Sequence, residues 1–120
     1  MSAAEIKGVA SRWIDAFNKK DLDGLLCLYD EQAEHYSPKL KIRHPETRGL
    51  IKGKATLRQW WQDAFERLPS LHYRLLRLTA EDNRVFMEYL RQVAGEEDLY
   101  VGEMLELNNG LIVASSVFHR

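Results

Sequence analysis

The last third of the chain, residues 84–120, constrains the fold most strongly. Three runs, RVFMEYLRQV, LYVGEMLEL and LIVASSVFHR, interleave apolar and polar residues, and the short segments AGEED and NNG separate them. Such alternation is typical of β-strands, and Asn109-Gly110 between two apolar runs is a strong hairpin signal. A curved antiparallel sheet of this size has one apolar face that other elements must cover.

The first two thirds of the chain supply that cover as helices. Apolar residues recur at helical spacing over residues 3–18 and again after Gly53, up to Leu68. Asp21 can cap a second helix over residues 21–30.

The segments between the helices are less regular. Residues 33–37 predict a short strand stopped by Pro38, residues 39–52 a long loop, and residues 71–79 a fourth long strand. The order predicts one α+β domain over residues 1–120, with three N-terminal helices packed on a curved, mainly antiparallel sheet.

Bulk composition excludes several classes of function. The net charge of −1 gives no reason to expect nucleic acid or an anionic membrane as partner. We expect a cytoplasmic protein, because the N-terminus lacks a continuous apolar signal region. The four histidines have no metal-ligand spacing, so neither a metal nor a cofactor is expected. Cys27, the one cysteine, lies in an apolar run and is expected to be buried.

Several landmarks together resemble one superfamily. They are NKKDLDGLL at residues 18–26, Leu28-Tyr29, Ala33, Pro38, Gly53-Lys54-Ala55 opening a helix, and the Asn109-Gly110 hairpin before Ile112. This order resembles the nuclear transport factor 2-like superfamily, which includes SnoaL-like proteins and ketosteroid isomerase. The resemblance covers nearly the whole chain and implies a cone-shaped α+β barrel that encloses an apolar pocket, with homodimers formed through the sheet. Fold alone does not define the chemistry.

The resemblance assigns roles to particular positions. Where ketosteroid isomerase has an oxyanion-binding tyrosine in its first helix, this chain has Trp13, and where the isomerase has its aspartate base, this chain has Ser37 before Pro38. Glu103 matches the isomerase's protonated acid in kind.

The pattern of the epoxide hydrolases and cyclases, an arginine and two aspartates, aligns with Tyr89, Arg91 and Val117. Both carboxylates of that pattern are therefore missing here, and the arginine is displaced by two residues.

Strand periodicity groups three polar candidates for catalysis. Tyr89 and Arg91 share one strand face, and the AGEED turn predicts Tyr89 opposite Glu103 with Arg91 diagonal to it. Two states of Glu103 remain open. Apolar surroundings would keep the carboxyl neutral, as a hydrogen-bond donor or general acid, whereas an adjacent Arg91 would keep it ionised.

Other residues are candidates for lining the pocket: Trp13, Tyr29, Tyr36, Ser37, Trp60 and His119. His35 and Tyr36 alternate along a strand, so only one of them can point inward. His119 reaches the face of Glu103 if the last hairpin has a three-residue turn, and the opposite face if the turn is Asn109-Gly110 alone.

These observations predict a domain that binds a small hydrophobic molecule, either as a binder or as a cofactor-free isomerase, cyclase or dehydratase. The alternative is a non-catalytic scaffold or protein-interaction module of the same fold. A cone filled by Trp13, Trp60 and Phe65 would favour that alternative, and an open pocket reaching Glu103 would favour the ligand.

Overall fold

Four α-helices and six strands follow one another in the computed structural model, which describes residues 1–120. The helices are α1 (Ala3–Asn18), α2 (Leu22–Leu26), α3 (Pro38–Arg43) and α4 (Lys54–Arg67), with a short 3-10 helix at Pro45–Thr47. The strands are β1 (Tyr29–Tyr36), β2 (Leu50–Lys52), β3 (His72–Glu81), β4 (Arg84–Gln92), β5 (Leu99–Asn108) and β6 (Leu111–His119).

The six strands form one sheet in the order β2-β1-β6-β5-β4-β3. Every neighbouring pair is antiparallel except β1 and β6, which run parallel. A parallel pair needs a long connection, and most of the chain lies between these two strands. The predicted α+β class, with a mainly antiparallel sheet, is confirmed. One helix more than predicted is present.

Helix α1 covers the inner face of the sheet. Ser2 accepts a hydrogen bond from the backbone of Glu5, and the Glu5 side chain accepts one from the backbone of Ser2, which closes a capping box. The buried stripe of the helix includes Trp13 and Phe17, which belong to the main core. Its last residue, Asn18, bonds both backbone polar groups of Tyr73 at 2.8 Å, which fixes the start of β3 against the helix.

Residues 39–52, predicted as a loop, contain helix α3, the 3-10 helix and strand β2. The prediction took Pro38 only as the end of a strand. Proline also suits the first position of a helix, and Ser37 caps that helix by accepting a hydrogen bond from the backbone of Lys39. The same junction therefore ends β1 and begins α3.

The second helix is shorter than predicted, because α2 ends at Leu26 and Tyr29 already belongs to β1. Cys27 caps the end of α2 and is exposed, so its predicted burial is wrong. None of the helices combines the length and apolar character that spanning a membrane requires. The cytoplasmic location stays a prediction.

A bulge in the last hairpin decides which face His119 occupies. Asn108 pairs with Leu111, so the turn consists of Asn109 and Gly110, with φ of 52° and 79° as in a type I′ turn. With this turn alone, the alternation of side chains along β6 would place His119 on the outer face of the sheet. The register then shifts between Glu106 and Leu107, which inserts one extra residue of β6 and reverses the alternation beyond it.

Candidate functional site

A cavity of about 310 Å³ lies between the inner face of the sheet and the helices. This volume is at the lower end of the range for small-molecule pockets, roughly 300–1,000 Å³. Apolar side chains form most of its wall, and aromatic rings dominate it: Trp13, Phe17, Trp60, Trp61, Tyr73 and Tyr89. The cone is therefore open inside rather than filled.

Several of these rings are stacked against one another. The ring of Tyr73 lies 4.1 Å from that of Phe17 and 4.1 Å from that of Tyr89, and both pairs are close to parallel. Trp13 stacks on Phe17 at 5.2 Å. Such packing restricts the rotamers of the rings and gives the cavity a fixed aromatic wall.

Glu103 is the one carboxylate enclosed in this wall. Its side chain is 1% exposed, and its Oε1 accepts a hydrogen bond from the hydroxyl of Tyr89 at 2.7 Å. Its Oε2 is the one fully enclosed side-chain polar atom in the protein that lacks a partner. Burial raises the pKa of Glu103 to about 8, although the hydrogen bond from Tyr89 lowers it. At pH 7 the neutral form of the carboxyl therefore predominates.

The register around Glu103 differs from the predicted one by two residues, so the faces are kept. Met87 stands opposite Glu103, whereas Tyr89 stands opposite Val101 and reaches Glu103 diagonally. Arg91 lies two residues beyond Tyr89, opposite Leu99, and donates a hydrogen bond to Glu96 at 3.0 Å. Strand alternation put the three residues on the correct face. Their pairing depends on the six-residue connection from Val93 to Asp98. The local sequence pattern does not define the conformation of that connection.

Four buried side chains form a hydrogen-bonded series beside the cavity. Trp13 donates its indole N–H to the hydroxyl of Tyr29 at 3.0 Å, and Tyr29 donates to Ser115 at 3.0 Å. Nδ1 of His35 lies 2.6 Å from the same Ser115 oxygen. Burial lowers the pKa of His35 to about 3, so the imidazole is neutral.

Cationic side chains gather at the open end of the cavity. Arg43 and Arg67 are exposed there and share Asp63, at 3.7 Å and 2.7 Å, while Arg91 is paired with Glu96. Lys39 has no ion-pair partner, and burial lowers its pKa, with Arg91 adding to the effect.

His119 lies at the same end of the cavity. Burial lowers the pKa of His119, and the charges of Lys39 and Arg91 lower it further.

The structure brings seven of the nine candidate residues to the cavity wall: Trp13, Ser37, Trp60, Tyr89, Arg91, Glu103 and His119. Two candidates lie elsewhere. Tyr29 is fully buried behind the wall. Tyr36 alternates with His35 onto the other side of β1, and its ring packs on Gly49.

The wall residues that were absent from the predicted site include two with polar groups, His35 and Tyr73. The alternation of side chains along a strand could have identified His35. Ser37 was a predicted pocket residue, and residues two apart share a strand face. Tyr73 occupies a strand of mixed pattern, and its position depends on the contact with Asn18 far away in the sequence.

The structure contains no group of three or more His, Cys, Asp or Glu side chains arranged to hold a metal ion.

Comparison with solved structures supports the same fold. A SnoaL-like protein of unknown function from Burkholderia thailandensis is 24% identical, with a TM-score of 0.90 over 99% of this chain and 97% of the other. A candidate ketosteroid isomerase from Kribbella flavida is 19% identical, with a TM-score of 0.81 over 98% and 79%. A candidate polyketide cyclase from Sinorhizobium meliloti is 13% identical, with a TM-score of 0.80 over 98% and 100%.

A search of curated proteins found no match. At the level of sequence families, the SnoaL-like domain matches residues 10–115, which is most of the chain. The resemblance to the nuclear transport factor 2-like superfamily is thereby confirmed, and the chain belongs to the SnoaL-like domain family.

Proposed function

We propose that the cavity binds a small, mainly apolar molecule that carries a hydrogen-bond acceptor oxygen, and that neutral Glu103 donates to that oxygen. The observation that carries this proposal is the unpartnered Oε2 of Glu103 in the wall of an aromatic cavity. Tyr89 already donates to Oε1, which leaves Oε2 as the site of the acid proton.

The energetics favour a ligand at this position. An enclosed polar group without a partner destabilises the folded state by about 1–3 kcal/mol. Such groups are found mainly at functional sites, where a bound ligand supplies the missing partner. The wall encloses Oε2 fully, so a rotation of the Glu103 carboxyl would bring it to an acceptor oxygen on the ligand, while the stacked rings would contact the apolar body.

The catalytic form of the proposal is a cofactor-free isomerase, cyclase or dehydratase. A carboxyl whose pKa is about 8 holds its proton at pH 7 and lies close enough to neutrality to release it, as general acid catalysis requires. Tyr89 would position this acid. Arg91, which is paired with Glu96, would act only through its charge. The names of similar structures, a candidate ketosteroid isomerase and a candidate polyketide cyclase, are consistent with this chemistry.

The second candidate is a ligand-binding or scaffold module without turnover. The observation that favours it is the absence of an ionised carboxylate from the cavity wall beyond Glu96, which is exposed and held by Arg91. In this version Glu103 would orient the ligand by the same hydrogen bond and would transfer no proton.

Two variants of Glu103 separate these forms. Native mass spectrometry of the purified protein would first identify a retained ligand by comparing the intact and denatured masses. Glu103→Gln keeps the shape and an N–H donor but has no transferable proton, so a binder should keep its affinity and an enzyme should lose turnover. Glu103→Leu, without any donor, should lose affinity by about tenfold. Unchanged affinity in Glu103→Leu would contradict the proposed function.

We propose further that the protein forms a homodimer through the outer face of the sheet. Phe86, Met104 and Phe118 form an apolar cluster on neighbouring strands, and Phe118 is 53% exposed. Polar groups of Glu88 and Tyr100 lie at its edge. An apolar centre with a polar rim is the usual anatomy of an interface.

A further inference from the structure

The buried series that ends at His35 determines which nitrogen of the imidazole carries the proton. Its four members are Trp13, Tyr29, Ser115 and His35. All four side chains are 2% exposed or less, and the three hydrogen bonds that join them are buried, so water does not come between them. The direction of each bond therefore follows from counting donors and acceptors.

The first bond is fixed because indole N–H can only donate. The oxygen of Tyr29 accepts from Trp13, and its own proton must then go to Ser115, since the hydroxyl has no other acceptor. Ser115 accepts that proton and must donate its single hydrogen elsewhere. The one remaining neighbour is Nδ1 of His35, 2.6 Å away.

Nδ1 of His35 is therefore an acceptor, and the ring proton lies on Nε2. The reverse order would leave the Tyr29 hydroxyl proton enclosed without an acceptor. The low pKa of His35, caused by burial, agrees with a neutral ring that has one proton. A second ring proton on Nδ1 would point at a hydroxyl that already donates to it.

Nε2 faces the cavity. His35 belongs to the cavity wall, and its ring lies 5.2 Å from that of Trp61. Nε2 has no hydrogen-bond partner in the protein. It is nevertheless not fully enclosed, because Oε2 of Glu103 is the one side-chain polar atom that is both enclosed and unpartnered. The Nε2–H group is therefore a donor with access to the cavity.

His35 and Glu103 belong to the same part of the wall. The Cα partner of His35 is Ser115 in β6, and the Cα partner of Glu103 is Val117, two residues further on the same face. A ligand in contact with one group is thus close to the other. Both groups donate hydrogen bonds.

We propose that Nε2–H of His35, held in one tautomer by the Trp13–Tyr29–Ser115 series, is a second hydrogen-bond donor to the ligand. The ligand class that fits is an apolar molecule with a neutral acceptor group such as a ketone or ester carbonyl, whose two lone pairs can take both donors. A cation does not fit beside these two donors. This inference rests on the proposed function for the ligand and on the series alone for the tautomer.

The tautomer is tested without any ligand. Long-range ¹H–¹⁵N spectra of the wild-type protein should show Nδ1 of His35 unprotonated and Nε2 protonated. Ser115→Ala removes the hydroxyl that donates to Nδ1, and a population with Nδ1–H should appear. Ser116→Ala is the matched control: it removes a hydroxyl from the next residue of β6, on the opposite face from Ser115, so Nε2–H should persist. Nδ1–H in the wild type would overturn the proposal.

The donor role is tested with a matched pair of probes, 2-acetylnaphthalene and 2-ethylnaphthalene, which differ in the carbonyl. The wild type should prefer the ketone. His35→Leu should lower this preference by up to about tenfold, as expected for one hydrogen bond, with the affinity for the hydrocarbon unchanged. His35→Gln, which offers an amide N–H, should restore part of it. An unchanged preference in His35→Leu would overturn the donor role.

The outcomes distinguish the two proposals. A wild-type protein that binds neither probe contradicts the proposed function and the donor role together, while the nitrogen spectra still decide the tautomer. If the protein binds the ketone through Glu103 and His35→Leu leaves the ketone preference unchanged, the proposed function stands and the donor role of His35 is wrong. Where His35→Leu fails to fold, Ser115→Ala takes its place and should likewise lower the ketone preference.

Discussion

Tyr89 donates a hydrogen bond over 2.7 Å to one carboxyl oxygen of Glu103, and the other oxygen has no partner in the protein. This asymmetry separates the roles of the two oxygens. Oε1 is held by the hydrogen bond from Tyr89, whereas Oε2 carries the acid proton and can donate it in a hydrogen bond to a ligand in the cavity. Burial keeps the carboxyl neutral, so the site presents a donor where an ionised acid would present an acceptor.

Glu103 should make the protein less stable as the pH rises from about 4.5 to about 8. Its pKa is 4.5 ordinarily and about 8 in the fold, so the folded state alone holds the proton in this range. The free energy of unfolding then falls by about 1.4 kcal/mol per pH unit.

His35 acts in the opposite sense. Its pKa falls from 6.5 to about 3, so the unfolded state alone is protonated between these values and stability rises with pH. The two effects cancel between about 4.5 and 6.5. Urea unfolding across pH 3–9 should show a rise, a plateau and then a fall above 6.5. Glu103→Gln should remove the fall, and Glu106→Gln, exposed on the other face, should keep it. A curve for Glu103→Gln that matches the wild type would contradict this assignment.

Tyr89→Phe should raise the pKa of Glu103 above 8, by about one unit, because the hydrogen bond from Tyr89 favours the ionised form. The measurement is a ¹³C NMR titration of the Glu103 carboxyl in the variant. Tyr36→Phe is the control, since Tyr36 lies on the opposite side of β1 and packs on Gly49. A pKa that falls in Tyr89→Phe would show that Tyr89 accepts from Glu103 instead of donating to it.

Lys39→Met should raise the pKa of His119 toward its ordinary value, because the charge of Lys39 contributes to the lowering of that pKa. Burial and Arg91 remain in the variant, so the shift should be partial. A ¹H NMR titration of the His119 ring measures it. Lys41→Met, which removes a charge from an exposed position of the same helix, should leave His119 unaffected. Equal shifts in both variants would mean that only the net charge matters.

Phe118→Lys should convert the proposed homodimer to a monomer, because it places a charge in the apolar cluster of the outer sheet face. Size-exclusion chromatography with light scattering gives the mass directly. Ile42→Lys is the control, because Ile42 is 77% exposed at the cavity opening, away from that face. A wild-type protein with the mass of one chain, or a variant that remains dimeric, would contradict the proposed interface.

Sequence patterns predicted the fold and part of the site for identifiable reasons. Residue alternation along β4 and β5 is a local property, so it placed Tyr89, Arg91 and Glu103 on the inner face correctly. Their exact pairing depends on the connection between the strands, and the predicted register was wrong by two residues. His119 shows the same limit, since the Asn109-Gly110 turn was recognisable while the bulge in β6 was not.

The part of the site that escaped prediction is the part made by distant contacts. The series from Trp13 to His35 joins residues 16 to 86 positions apart in the chain, and no local pattern reports such a contact. Burial of His35 and Ser115 follows from the parallel pairing of β1 with β6, which only the completed sheet defines.

The most direct test of the account is the protonation state of Glu103 in the wild-type protein. A ¹³C NMR titration of protein labelled at the glutamate carboxyl carbons, with Glu103 identified by its absence in Glu103→Gln, measures that state. The account predicts a carboxyl that is protonated at pH 6 and titrates near pH 8. A Glu103 signal that is already that of a carboxylate at pH 6 would contradict the neutral donor and the function proposed from it.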